Sequence, residues 1–293
     1  MFRGSTVRHS NPQTLRELQP FMAALHVYNA GDEAFHRTKC RPAEAPVGHH
    51  ASVVITVGID VAAQPERTAG CWIRWDQGGG MVERVEQPLA DDRLRLILAD
   101  DSVDKIGIDV PLGWPTAFVS AIGAHHAGKP WPAATTSDLT RRVTDWHVQT
   151  ATQQLPLSVS TDRIAYPAMR VAALLPVPTD RMGDGRIVEV YPAAALRRWG
   201  FPWQRYKRMK GLAALGELLT GLRQAAPWLY AEERWWSWFE GRDDAFDALM
   251  ACLVARARAR GLCDPIPSEH VEVARAEGWI ALPKNDSLPD LPR

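Results

Sequence analysis

Two short runs in this chain end the same way. Val53-Val-Ile-Thr-Val-Gly-Ile-Asp60 and Val103-Asp-Lys-Ile-Gly-Ile-Asp-Val110 are apolar and rich in β-branched residues, and both carry Gly-Ile-Asp at the end. Runs of this kind are buried strands. A carboxylate inside the core is costly unless it is paired, hydrogen-bonded or bound to a metal. Asp60 and Asp109 are therefore expected at strand tips, where the chain leaves the core. Two core strands that each deliver an Asp point to one shared carboxylate site.

The segments between and after these strands follow a regular order. A strand over Ala69–Trp75, the turn Asp76-Gln-Gly-Gly-Gly80 and a strand over Met81–Pro88 read as a hairpin. Asp91 or Asp92 caps a helix through Ala99, with Leu94, Ile97 and Leu98 on one face. The strand Lys105–Val110 follows, and Pro111-Leu-Gly-Trp-Pro115 turns it into a loop. Beyond it, Ser137–Trp146 reads as a helix start carrying Arg141, Arg142 and Asp145. Arg186–Pro192 is a short strand containing Glu189. Helices are predicted over Ala193–Trp199, Met209–Gln224 and Glu232–Phe239. The segment Asp243–Arg260 is the strongest helix, with acids at its start, arginines at its end and Gly261 as its stop. A last strand-like piece spans Gly278–Leu282. Residues 1–50 are polar, with scattered His, Arg and Pro, and read as a flexible extension. The folded domain is expected over 51–283, with a polar, Pro-rich tail over 284–293.

Composition narrows the classes. Lys plus Arg and Asp plus Glu both number 34, so there is no global basic signal for nucleic acid. Cys40, Cys71, Cys252 and Cys263 form no CxxC pair, which argues against a zinc knuckle or disulfide framework and fits a reducing cytoplasm. No apolar run reaches the roughly 18 residues of a membrane span, and no signal-peptide core stands at the start.

Five acids are candidates for chemistry: Asp60, Asp109, Glu189, Asp244 and Asp247. Phosphoryl-transfer nucleases gather carboxylates around one or two magnesium ions, about 3.5–4 Å apart where there are two. Magnesium takes hard oxygen ligands. Plainer roles compete with this. Asp243 suits an N-cap, and Asp244 and Asp247 suit the helix dipole. Glu189 is equally a partner for Arg141 or Arg142. Asp247 lies a turn into its helix beside Phe246 and Leu249, where a purely structural acid is less expected. Asp244 and Asp247 share a face with Ala248 and Ala251, small enough to let the helix lie close to a sheet.

The order of strand-Asp, meander, strand-Asp and a late Asp-x-x-Asp-Ala-Leu helix resembles the RNase H-like fold. That fold is an α/β architecture with a mixed sheet, a three-stranded antiparallel meander plus parallel strands, flanked by helices. Asp244-Ala-Phe-Asp247-Ala-Leu249 resembles the C-terminal helix of RuvC-type Holliday-junction resolvases. Several pieces together resemble the DUF429 family, described as a predicted nuclease with an RNase H fold. They are Gly58-Ile-Asp60, Gly107-Ile-Asp-Val-Pro-Leu-Gly113, Arg141-Arg-x-x-Asp145, Glu189-Val-Tyr-Pro-Ala193, Tyr206-Lys207, Asp243-Asp-Ala-Phe-Asp-Ala-Leu249 and Glu277-Gly-Trp-Ile280. The resemblance implies a Mg2+- or Mn2+-dependent nuclease acting on nucleic acid. Asp60, Asp109 and Asp247 would hold the metal, with Asp244 as an alternative helix acid. Arg141, Arg142 and Lys207 would hold phosphates, Arg through paired hydrogen bonds and Lys as a point charge.

Two other classes remain. One is a non-catalytic nucleic-acid or nucleotide-binding protein on the same fold. The other is a sugar-kinase-like phosphotransferase, which also opens on strand-Gly-Ile-Asp. Here Asp60 is followed by Val-Ala-Ala-Gln-Pro65 instead of Gly-Thr phosphate-binding residues, which argues against ATP use.

Overall fold

The computed structural model describes residues 53–292. The predicted extension over 1–50 lies outside them. The chain begins with strands β1 (Val54–Asp60), β2 (Ala69–Asp76) and β3 (Gly79–Glu86), helix α1 (Asp91–Ala99) and strand β4 (Lys105–Asp109). Helices α2 (Thr116–His126), α3 (Thr136–Thr140), α4 (Val143–Thr152) and α5 (Ala165–Ala172) lead to the short strand β5 (Ile187–Glu189). Then come α6 (Pro192–Arg198), α7 (Leu212–Ala225), strand β6 (Leu229–Ala231), α8 (Glu233–Glu240), α9 (Asp243–Ala259) and α10 (Val271–Glu277).

The strands form one mixed sheet in the order β5-β4-β1-β2-β3-β6. β1, β2 and β3 are an antiparallel meander, and β4, β5 and β6 join in parallel. The meander turns where Asp76 Oδ1 accepts the Gly78 N–H at 2.8 Å. β6 was not visible in the sequence. Its three residues are too few to show alternation, and it exists because it lies against Gly80–Val82 of β3.

Both faces of the sheet are covered. On one face β-strand side chains pack with α6, α7, α8 and α9. On the other, Val57, Ile59, Ile106 and Ile108 pack with Leu94, Ile97 and Leu98 of α1 and Ala168 and Val171 of α5. α9 is central. Ala245 to Ala257 are buried without interruption, as expected of a helix that is apolar all round.

Several boundaries differ from the sequence reading. The helix expected over Ser137–Trp146 is two helices. Asp138 and Asp145 each accept the N–H three residues earlier, from Thr135 and Arg142, and so start separate elements. Ala90, not Asp91 or Asp92, precedes α1, and Arg242, not Asp243, precedes α9. Gly278–Leu282 forms one bridge, Ile280 to Glu189, instead of a strand. The end of the chain is packed, with Leu288 and Leu291 buried.

Candidate functional site

The twin Gly-Ile-Asp segments stand side by side in parallel register: Gly58 beside Gly107, Ile59 beside Ile108 and Asp60 beside Asp109. Neighbouring strands lie about 4.8 Å apart and side chains alternate between faces. Both carboxylates therefore leave the same end of the sheet on the α9 face. The glycines bring α9 in. A Cβ on Gly58 would come within 2.0 Å of the Ala248 carbonyl oxygen, and one on Gly107 within 2.3 Å of the Ala251 carbonyl oxygen. Helix backbone rests on strand backbone, which places the first turns of α9 against the two strand tips. Asp247 is only 1 % exposed there.

The loop before α7 supplies the remaining groups. The Tyr206 hydroxyl donates to Asp247 Oδ1 at 2.7 Å, and its ring packs edge-on against Phe246. Lys207 Nζ lies 2.5 Å from Asp247 Oδ2. That ion pair is the contact Oδ2 makes. Lys207 reaches deep among the acids, yet its side chain keeps 51 % of its surface open in the groove above them.

The charges in this cluster perturb one another. Burial raises the Asp60 carboxyl well above its ordinary range, and Asp247 and Asp109 push it further. Burial, with Asp247 and Glu189, lifts Asp109 to about 7 against the pull of Lys207. Asp247 is raised by burial even though Lys207 and Tyr206 favour its charged form. Burial opposes the charge of Lys207, but Asp247 and the other surrounding groups outweigh it and hold the ammonium well above its usual pKa. Strongly perturbed carboxylates gathered in a cleft are the usual mark of a functional site.

Two adjoining cavities of about 300 and 330 Å³ open over the cluster, with Lys207, Leu157, Arg163 and Ile164 in the walls of both. Asp109 and Tyr191 line the first, and Asp60, Arg67, Arg208 and Asp244 the second. Asp244 stands at the rim, held by Arg67 through two hydrogen bonds of 2.6 and 2.7 Å and by Gln87 at 3.1 Å. Asp243 accepts the Arg208 N–H at 3.1 Å.

Glu189 and Arg142 form a different structure. Glu189 is in register with Ile108, one residue short of the level of Asp109, so alternation turns its side chain to the opposite face from Asp109. There it accepts two hydrogen bonds from Arg142, at 2.6 and 2.9 Å, and the Leu112 N–H at 2.9 Å. Arg142 also binds Asp145 at 2.9 Å and the Glu277 carbonyl at 3.1 Å. The Arg142 side chain is 1 % exposed. The guanidinium is engaged by these groups, and with Glu189 it forms part of the wall of the first cavity. Of the two roles weighed for Glu189, the ion pair is the one it occupies. Arg141 donates to the Pro156 carbonyl and braces the loop at the cavity edge.

The motif pieces therefore divide into two assemblies. Asp60, Asp109, Tyr206, Lys207 and Asp247 form the open centre. Arg142, Asp145, Glu189, Glu277 and Gly278 form a buried strut that props the loop after Asp109. Glu277 accepts the Thr116 and Val143 N–H groups at 2.8 Å each. Gly278, at φ +84°, lies where a Cβ would come within 3.0 Å of Glu189. The role of Tyr206 on Asp247 carries no local signal in the sequence, because the two residues meet only through the fold. Arg67, Arg163 and Arg208 were missed because single loop arginines carry no periodic signal.

Two of these features, carboxylates at adjacent parallel strand tips and a facing helix acid, define an α/β protein with a carboxylate–lysine centre. The chain belongs to the family described as "Protein of unknown function (DUF429)", whose profile matches residues 58–272. Neither a curated protein nor a solved structure matches it. No helix among the described residues is long and apolar enough to cross a membrane.

The fit to a divalent cation rests on the donors. Three aspartates are the hard oxygen set that magnesium and manganese take. One carboxylate oxygen, Asp247 Oδ2, has the Lys207 ammonium beside it at 2.5 Å. Three negative charges face one ammonium, which leaves two in excess when all are ionised. Donor type and charge fit the ion. As the side chains stand, no three metal-binding residues among those described converge on one point, and Lys207 lies among them.

Proposed function

We propose that the protein is a metal-dependent nuclease or phosphodiesterase on an RNase H-like fold. The observation that carries this reading is the in-register pair Asp60 and Asp109 facing Asp247, three carboxylates that repel one another beneath an open groove. Asp60, Asp109 and Asp247 would hold Mg2+ or Mn2+. When bound, the ion would supply an activated water and neutralise charge on the leaving oxygen. The chain's own groups do the rest. Tyr206 fixes the Asp247 carboxylate by its 2.7 Å hydrogen bond. Lys207 and Arg163 line both cavities and present positive charge to a phosphate between them. The buried strut holds the loop after Asp109 and keeps that side chain on the cluster. The meander followed by parallel strands, and the helix acid near the strand tips, support the RNase H-like comparison.

The test is metal-dependent cleavage of labelled single-stranded, duplex, hybrid and branched nucleic acids, comparing wild type with Asp60→Asn. Cleavage that needs Mg2+ or Mn2+ and is lost in the variant is the expected result. Neither cleavage nor metal binding would leave a non-catalytic nucleic-acid or nucleotide-binding protein, with the carboxylates kept for structure.

A further inference from the structure

The molecule contains two buried acid–base assemblies, and they are built differently. The Arg142 assembly is closed on itself, with Arg142 and Glu189 reaching only the wall of the first cavity. Its guanidinium bonds two carboxylates, and Glu189 takes an added backbone N–H. A planar fork suits such a permanent pair. The Lys207 assembly is open. Its cation is a point charge on a flexible stem, half of the side chain is accessible, and its ion pair is with the single carboxylate of Asp247 at 2.5 Å. One ammonium also leaves the three carboxylates undercompensated when all are ionised.

The backbone beneath Lys207 is held in place. Arg205 and Arg208 adopt left-handed conformations at φ 65° and 66°, uncommon for residues with side chains. Such strain persists where the surroundings over-determine it, and it clusters at functional sites. Tyr206 is tied to Asp247 and the Arg208 N–H to Asp243. Gly211 packs so close that a Cβ would lie 2.5 Å from the Arg205 carbonyl oxygen. With the main chain clamped on both sides, the freedom that remains belongs to the Lys207 side chain, which borders both cavities.

We propose that Lys207 is an exchangeable counter-ion, seated among Asp60, Asp109 and Asp247 until a divalent cation displaces it into the groove, where its charge meets a substrate phosphate. This rests on the metal-centre reading above. It adds that metal and lysine compete for the same carboxylates, so that loading the centre also delivers the phosphate-binding charge.

The experiment measures Mn2+ binding by calorimetry to the full chain, without nucleic acid, for wild type and Lys207→Met. Competition predicts that the variant binds Mn2+ tighter by about tenfold or more, within the usual range of site coupling. Equal or weaker binding by the variant overturns the exchange while leaving the metal centre standing. Binding by neither protein overturns the metal centre and the exchange together. A second measurement needs no variant. Acylation of the Lys207 amine in the wild type, followed by peptide mass spectrometry, is expected to quicken when Mn2+ is added. Unchanged or slower labelling counts against displacement.

Discussion

At the scale of single residues, alternation along a strand decides what each acid of the sheet does. Asp109 and Glu189 sit on neighbouring parallel strands, one step apart in register, and that step sends one to the open centre and the other to the buried strut. Burial raises both carboxyls, but only Glu189 has a guanidinium bonded to it. The Asp109 carboxyl is raised from 3.8 to about 7. The fold therefore favours its protonated form, and that contribution to stability is complete below pH 4 and lost as pH rises through 7. Asp109→Asn removes the penalty. Its thermal midpoint without divalent cations should exceed that of wild type by more at pH 8 than at pH 5, with each kcal/mol worth about 2–4 °C. An equal gap at both pH values would contradict the assignment. Arg142 behaves differently, since its removal strands Glu189 and Asp145 without a cation. Arg142→Ala should cost about 3–5 kcal/mol in urea unfolding. A loss below about 1 kcal/mol, the range of exposed pairs, would show the strut to be dispensable.

At the scale of elements, the site depends on how closely α9 lies on the sheet. Gly58→Ala and Gly107→Ala would each press a methyl group into helix backbone at 2.0 and 2.3 Å, where no rotamer change can relieve the clash. Each is expected to lower stability by at least the 1–3 kcal/mol typical of overpacking, roughly, and to loosen the centre with it. Gly216→Ala is the control. That glycine lies inside α7 with nothing within 4 Å of an added Cβ, so the change should stabilise by about 0.5–1 kcal/mol. Chemical denaturation of the three variants side by side checks the contrast. This geometry was half legible in the sequence. Ala248 and Ala251 announced a helix able to approach a sheet, and the repeated Gly-Ile-Asp announced paired tips, because both are local patterns. The glycines' part in admitting α9 was not legible, since it needs the strand register. The break between α3 and α4 was hidden for a similar reason, because it is made by the Asp138 and Asp145 side chains turning back on their own backbone. The place of Lys207 was also out of reach, since a loop residue meets a helix 40 positions later only through the tertiary fold.

At the scale of the whole molecule, α9 joins two ends with different duties. Its N-terminal turn carries Asp243, Asp244 and Asp247 at the centre, and its C-terminal part is gripped by the end of the chain. Arg256 donates to the Leu291 carbonyl at 2.9 Å and lies over the Trp75 ring at 4.8 Å. Trp199 donates to Ser287 Oγ at 3.1 Å, and Leu288 and Leu291 are 3 % and 0 % exposed. The Pro-rich composition that made residues 284–293 read as a tail conceals two anchoring leucines. Removing residues 284–293 would delete both, forfeit their burial at about 1.5–3 kcal/mol each, and leave Arg256 without its Leu291 carbonyl partner. Asp247 and Arg256 are nine positions apart on the helix, about 13 Å along its axis. Contributions at that distance are nearly independent when no partners are shared. The truncated protein should therefore melt well below the full chain. Measured in the cold, it should keep any Mn2+ affinity of the full chain to within about twofold. A truncation that lost cation binding while still folded would mean that the far end of α9 positions Asp247, and that the helix acts as one rigid lever between tail and centre.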